Sequence, residues 1–322
     1  MSGSYYAGID LGATNVRAAV ADDEGEMLAL DRRATPRGPR GVDVTEAVLD
    51  AIRAACSEVG IDPTEITAAG IGAIGPLDLA DGSVVNPANL PDAIDVIPLR
   101  EPVSALVDSP HVSLHNDTTA GVIGERYYSE LNPDGMVYLT ISSGIGAGVT
   151  VDGSVLHGWD GNAGEIGHIV VDADGQRTCG CGRAGHWEAY CSGANIPEYA
   201  RGIHEREDVD TGLPVDDPDF TAADVFEDPD DPLAGEVIDR IADWNAIGVS
   251  TIVQAYAPLV IAIGGAVALE NEALVIDPIA ERVPDMVLSN VPEIRATSLG
   301  DEVVLYGAIA SALTGGGSSH AH

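Results

Sequence analysis

No part of this chain limits its folding more than residues 164–188, GEIGHIVVDADGQRTCGCGRAGHWE, which set two histidines and two cysteines in a glycine-rich frame between Glu165 and Glu188. Cys179 and Cys181 put two thiols on one tight turn. Gly180, Gly182 and Gly185 let the backbone close around a common centre. His186 follows just downstream, and His168 ends the run Glu-Ile-Gly-His upstream. Two sulfur and two nitrogen donors make a closed tetrahedral site of the kind zinc prefers. A closed site is structural. Zinc there would fix the turn carrying Glu188 and the strand carrying Glu165, and would not itself do chemistry. The residues leave two points open: a surface loop with free thiols is the alternative to a metal site, and Cys191 competes with His186 as fourth ligand.

The chain has 322 residues, enough for two domains with their own cores. Acids number 52 against 15 bases, a net charge of −37, and every base is Arg. That balance excludes nucleic-acid binding by a basic face and opposes anionic membrane surfaces. With 45% hydrophobic residues the chain is not a disordered acidic segment but a folded protein with an acid-coated surface. Self-repulsion strains such a surface at low salt, whereas near 1 M salt the Debye length is only about 3 Å. The expectation is a halophile's cytoplasmic protein. No signal peptide is visible, and the apolar runs fall short of the ~18 residues a membrane span needs. Four Cys, two of them in the Cys-x-Cys turn, do not form a secreted disulfide framework. Residues 315–322, GGGSSHAH, read as a flexible tail.

Residues 5–9 read as a buried strand ending in Asp10-Leu11-Gly12-Ala13-Thr14-Asn15, followed by strands over 16–21 and 27–33. Gly12 admits close backbone approach, so amide N–H groups and the Thr14 hydroxyl can contact phosphate oxygens, and Asp10 can hold Mg²⁺ through water. An ordinary β-turn explains the same residues equally well. Arg17 beside this loop reads as a solvated charge. Apolar spacing predicts a helix over 42–59 with Cys56 in the core. A strand over 66–71 leads to a Gly-Pro loop, and Asn89 lies in the following Asn-Pro-Ala-Asn-Leu segment. A short strand over 112–115 ends in Asn116-Asp117 before a helix over 118–128, where Asp117 can be a helix cap or a catalytic carboxylate. A strand over 137–142 runs into Ser142-Ser143-Gly144-Ile145-Gly146-Ala147-Gly148. With no Lys anywhere, a P-loop is excluded, and no strand–GxGxxG–helix unit supports a dinucleotide fold. Residues 205–231, crowded with acids, Pro and Gly, read as a solvated, partly helical connection or lid. A long helix over 233–257, a strand over 259–263, Gly264-Gly265 and a closing helix over 303–313 complete the chain.

Glu-Ile-Gly-His followed by Cys-x-Cys-Gly-x-x-Gly-His-x-Glu resembles the signature of the ROK family of sugar kinases and repressors, which usually has Cys where this chain has His186. The resemblance implies an α/β, two-domain actin-like ATPase (ribonuclease H-like) sugar-kinase fold with an interdomain cleft. The implied domains are residues 1–116, completed by a helix near 303–314, and residues 117–302 with the zinc loop. Asp10, Gly12, Thr14 and Asn15 match the first phosphate motif of that superfamily, Ser143 and Gly144 the second, and Gly264 and Gly265 its adenosine motif. ATP and Mg²⁺ are thus implied alongside structural Zn²⁺ on His168, Cys179, Cys181 and His186. Asn89, Asn116, Asp117, Glu165, His168 and Glu188 match the sugar side, with Asp117 as general base. The implied activity is phosphorylation of glucose at O6, a glycolytic step, by a homo-oligomer, dimer or tetramer. The alternatives are a kinase for fructose, allose, N-acetylmannosamine or N-acetylglucosamine, use of a polyphosphate donor, or a non-enzymatic sugar sensor. The phosphate motif begins too near the N-terminus for a preceding helix-turn-helix, which argues against a repressor.

Overall fold

Alternation of side chains along three N-terminal strands decides the first sheet. β1 (Tyr5–Leu11), β2 (Asn15–Ala21) and β3 (Met27–Ala34) form an antiparallel meander. On β2, Val16, Ala18 and Val20 enter one core, while Ala19 and Ala21 enter another on the opposite face. α1 (Gly41–Val59) covers the first face with Val44, Val48, Ile52 and Cys56, all essentially fully buried. Each fully buried aliphatic side chain there stabilises the fold by about 1.5–3 kcal/mol. The helix ends where Gly60 turns left-handed and its N–H caps the Cys56 carbonyl. β4 (Ile66–Ala73) then pairs parallel with β1. Three short strands, β5 (Leu77–Asp78), β6 (Ser83–Val85) and β7 (Val96–Pro98), make a small sheet of their own. After α2 (Arg100–Val107), β8 (Val112–Asn116) adds to β4 in parallel, giving the order β3-β2-β1-β4-β8, and runs directly into α3 (Asp117–Tyr127).

A computed structural model describes residues 3–87, 90–91, 93–159, 161 and 163–316. It divides into two compact units. One comprises Met1–Asp134, Gly148–Ala163 and Glu302–His322; the other comprises Gly135–Ala147 and Gly164–Asp301. This differs from a division at residue 116, because α3 goes with the first unit.

The second sheet contains β9 (Met136–Ile141), β10 (Ile145–Val151), β11 (Ser154–Val155), β12 (Val260–Gly264) and β13 (Glu293–Ala296), in the order β11-β10-β9-β12-β13. β12 is parallel to both its neighbours, and its five residues are all buried. Helices α4 (Glu188–Cys191), α5 (Ile196–Glu207), α6 (Ala222–Glu227), α7 (Pro232–Tyr256), α8 (Ala266–Glu270) and α9 (Glu272–Arg282) all belong to the second unit. α7 starts at Pro232 because Asp231 caps it, accepting from the N–H groups of Leu233 and Ala234. The other Asp231 oxygen accepts from Gly212 N–H at 2.7 Å. The acid-rich connection is therefore packed rather than merely solvated: Val215 and Phe220 are buried, and the Arg201 guanidinium lies 5.2 Å over the Phe220 ring.

The closing helix, α10 (Val303–Thr314), returns to the first unit, where Leu305 and Ile309 pack with Ala19 and Ala21. The approach is close enough to require glycine: a Cβ on Gly70 would stand 2.0 Å from the Ala308 carbonyl oxygen, and one on Gly307 would stand 1.8 Å from that of Ala120. Among the described residues, no helix is long and apolar enough to cross a membrane.

Candidate functional site

The Cys-x-Cys segment folds as a knuckle between two isolated β-bridges, Val170 with His186 and Thr178 with Ala184. Cys179 N–H donates to Arg183 O at 2.8 Å, and Gly182 N–H returns to Cys179 O at 2.8 Å. Gly182 and Gly185 both have positive φ, and a Cβ on Gly185 would lie 2.1 Å from the Asp172 carbonyl oxygen. Gly180 has no such need: nothing lies within 4 Å of the position its Cβ would take. The turn thus depends on two of the three glycines expected to shape it.

The knuckle brings His168, Cys179, Cys181 and His186 together, with one ligand atom from each lying within 4.8 Å of the others. Cys179 Sγ is 3.7 Å from His168 Nδ1, and Cys181 Sγ is 3.3 Å from His186 Nδ1. Zinc bonds of about 2.0–2.3 Å separate tetrahedral donors by about 3.3–3.8 Å, so the donor set fits such an ion. Burial pushes the Cys179 thiol up to about 11, while the Arg183 backbone N–H holds Cys181 below the usual thiol value. Cys191 is not in the cluster; it is fully buried, and its thiol faces the Ile241 carbonyl at 3.7 Å. Between the rival fourth donors, the fold brings His186 to the other three.

The residue that anchors this segment escaped the sequence-based reading. Trp187, between His186 and Glu188, is fully buried; its indole N–H donates to Asn245 Oδ1 on α7 at 2.8 Å. Its ring fills the space over Gly248, where a Cβ would meet it at 2.4 Å. An aromatic set inside a metal-ligand motif, between His186 and Glu188, is the signal that could have found it.

Glu188 opens α4. Its Oε2 accepts from Ile145 N–H at 3.0 Å, and Oε1 lies 3.7 Å from the Cys179 thiol. The carboxylate therefore ties the knuckle to the turn at Ser143 and Gly144, where a Cβ on Gly144 would come within 2.9 Å of it. Gly193 N–H donates to the Ser142 carbonyl on the same turn. His168 uses its two nitrogens differently: Nδ1 faces Cys179, and Nε2 is 3.8 Å from the exposed Glu165 carboxylate. Gly264 ends β12 and Gly265 follows at φ +90°. The room they leave is taken from within, by the Tyr138 hydroxyl 2.5 Å from a Gly264 Cβ and the Ile141 carbonyl 2.5 Å from a Gly265 Cβ.

In the other unit, Asp10 lies inside β1 and is 6% exposed. Its cross-strand partner is Arg17, whose Nε donates to Asp10 Oδ2 at 2.8 Å with Nη2 also on that oxygen. Arg17 is thus not a solvated charge, because the antiparallel register sets it opposite a buried acid. Burial raises the Asp10 pKa, and the guanidinium opposes that shift. In the turn after β1, Gly12 N–H closes on Asn15 O at 2.9 Å, and Thr14 is exposed. Thr35, which the sequence did not single out, braces this turn: its hydroxyl donates to Gly12 O, and its N–H donates to Thr14 O.

Asn116 and Asp117 sit at the junction of β8 and α3. Asn116 is the cap: its Oδ1 accepts from the Thr118 N–H at 3.0 Å and from the Thr118 hydroxyl at 2.8 Å. Asp117 is the first helical residue, and its Oδ1 also accepts from Thr118 N–H, at 2.8 Å. The capping role expected as the alternative for Asp117 thus falls mainly to its neighbour. The Asn116 amide nitrogen points toward the loop at Gly75. Asn89 lies outside the described residues.

The model of the ROK family matches residues 6–314. A glucokinase of Pyrobaculum calidifontis is 36% identical over 95% of this chain and 94% of its own length. Among solved structures, the ROK hexokinase of Thermus thermophilus superposes with a TM-score of 0.82 at 30% identity, covering 96% of this chain and 98% of that one. The ROK family glucokinase of Streptomyces griseus, solved in complex with glucose and AMPPNP, superposes with a TM-score of 0.73 at 29% identity, covering 96% and 99%.

Proposed function

The chain belongs to the ROK family, and on that premise we propose that it is an ATP-dependent glucokinase transferring the γ-phosphoryl group to O6 of glucose. Its fold is the α/β fold of the actin-like ATPases. The observation that carries the proposal is the match over nearly the full length to the Streptomyces griseus glucokinase, whose complex names both glucose and an ATP analogue.

Asp117 serves as the general base. Phosphoryl transfer is mostly positioning and charge stabilisation, and it needs a carboxylate within hydrogen-bond reach of the attacking hydroxyl. Fixed at the first turn of α3 beside the Asn116 cap, Asp117 accepts the O6 proton as the P–O bond forms. Asn89, Asn116, Glu165, His168 and Glu188 hold the sugar hydroxyls. Gly12, Thr14, Asn15, Ser143 and Gly144 contact the phosphates, with Gly264 and Gly265 on the adenosine side. Asp10 would hold hydrated Mg²⁺, which offsets phosphate charge in a chain with no Lys. His168, Cys179, Cys181 and His186 would hold Zn²⁺, whose part is to stiffen the knuckle that positions His168 and Glu188. The enzyme works as a homo-oligomer in a salt-rich cytoplasm and supplies glycolysis.

Asp117→Asn tests the base directly. We expect glucose phosphorylation to fall by at least about a thousandfold, within the range that removing a base and its charge commands. Glucose binding, followed by calorimetry, should stay within a few fold of the parent. Turnover close to the parent's would remove Asp117 from the mechanism.

A further inference from the structure

The second unit contains a cavity of about 410 Å³ lined by none of the residues assigned above, although Gln176 and Arg177 come from the same segment as the knuckle. Tyr190, Tyr199, Trp244, Ile247 and Met286 line it. The polar lining is Gln176, Arg177, Arg206, Arg240 and Asp243, of which Arg240 is already ion-paired to Glu207 and Asp243 to Arg282. Pockets of a few hundred Å³ with an apolar body and a few convergent polar groups are the usual form of small-molecule sites.

Arg177 and Arg206 line one cavity of a chain that carries 52 acids against 15 bases. Most of its guanidiniums are matched to carboxylates, as Arg240 is to Glu207 and Glu236, and Arg282 to Asp239 and Asp243. Arg177 and Arg206 have no ion-pair partner among the described residues. The Arg177 guanidinium donates only to carbonyl oxygens, Nε to Ala189 at 2.7 Å and Nη1 to Glu198 at 3.0 Å, which hold its guanidinium carbon 5.5 Å over the Tyr199 ring. The wall is rigid as well: Trp244 N–H donates to the Tyr199 hydroxyl at 3.0 Å, and Tyr190 packs against both rings at 4.9–5.3 Å.

We propose that this cavity binds a small anion carried on a flat aromatic body, its phosphate or carboxylate on Arg177 and Arg206 and its ring against Trp244 and Tyr199. Guanidiniums recognise such oxyanions by paired charge-assisted hydrogen bonds, and a flat body meets the aromatic wall with little loss of conformational freedom.

Phenyl phosphate is the probe. It is titrated into the full-length protein in about 1 M KCl, where surface attraction is screened, with glucose and AMPPNP saturating, and tryptophan emission and heat are followed together. Inorganic phosphate and benzyl alcohol supply the two halves of the probe separately. We expect saturable binding at least about tenfold tighter than either half, and a loss of about tenfold or more in Arg206→Glu, from the worth of one charge-assisted bond. Arg206 is exposed and makes no hydrogen bond in the fold among the described residues, so the variant should fold and phosphorylate glucose as the parent does. No saturable binding, equal affinity in Arg206→Glu, or a dimer that this substitution dissociates would each overturn the proposal, the last by making the cavity an interface between copies.

Discussion

His115 shows how a single side chain ties stability to pH. It precedes Asn116 on β8, is 6% exposed, and its Nε2 meets Ser311 Oγ at 2.7 Å, while Nδ1 has no partner among the described residues. Burial lowers its pKa to about 4, with His157, stacked at 6.0 Å, and Arg100 adding to the shift. A folded-state pKa below the unfolded value means the unfolded chain takes up the proton first. The stabilising contribution is therefore whole above about pH 6.5 and fades as pH falls toward 4. Between pH 7 and pH 5 the loss from this residue is about 2 kcal/mol. Urea unfolding of the parent and of His115→Gln at both pH values isolates it. The parent should lose about 2 kcal/mol more than the variant on acidification, and equal losses would contradict the assignment. Nothing in the sequence foretold this burial or the pairing of Asp10 with Arg17. Both depend on which residues face each other across strands and on what α10 covers, and local spacing does not encode that.

Legibility improves at the scale of elements. Residues 164–188 were readable as a ligand cluster because every donor lies within a short span and the turn chemistry is local. Strands and helices were likewise foreseeable from alternation and from stops such as Pro258. Harder to see was what holds the knuckle in place, since Trp187 acts through Asn245 and Gly248 on a helix some sixty residues away. The division of the chain was also less legible, because α3 follows β8 without a break and its allegiance is set by Gly307 against Ala120 near the C-terminus. The knuckle offers a paired test. Gly185→Ala puts a Cβ 2.1 Å from a carbonyl oxygen at a residue with φ +75°, whereas Gly180→Ala meets open space. We expect Gly185→Ala to destabilise by at least about 1–3 kcal/mol and to lower bound zinc, and Gly180→Ala to stay within about 0.5 kcal/mol. Thermal unfolding and metal content read both. Equal effects of the two substitutions would mean that the knuckle does not depend on this close approach.

For the whole molecule, charge is the governing quantity. Fifteen arginines, even if every one were paired, leave 37 of the 52 acids unbalanced. Surface ion pairs such as Arg282 with Asp239 are worth about 0–1 kcal/mol each and weaken with salt. The repulsion among unbalanced acids is spread over the whole surface and is relieved by the same salt. Relief should win, so the melting temperature should rise by several degrees or more between about 0.1 M and about 2 M KCl; an unchanged or falling value would remove salt adaptation from the account. The central claim, however, is the reaction. The most direct measurement is a coupled ADP-release assay with Mg-ATP in molar KCl across glucose, fructose, allose, N-acetylmannosamine and N-acetylglucosamine. The account predicts clear preference for glucose, with glucose 6-phosphate as product. A folded protein that releases ADP with none of these sugars, or that prefers another of them over glucose, would contradict it.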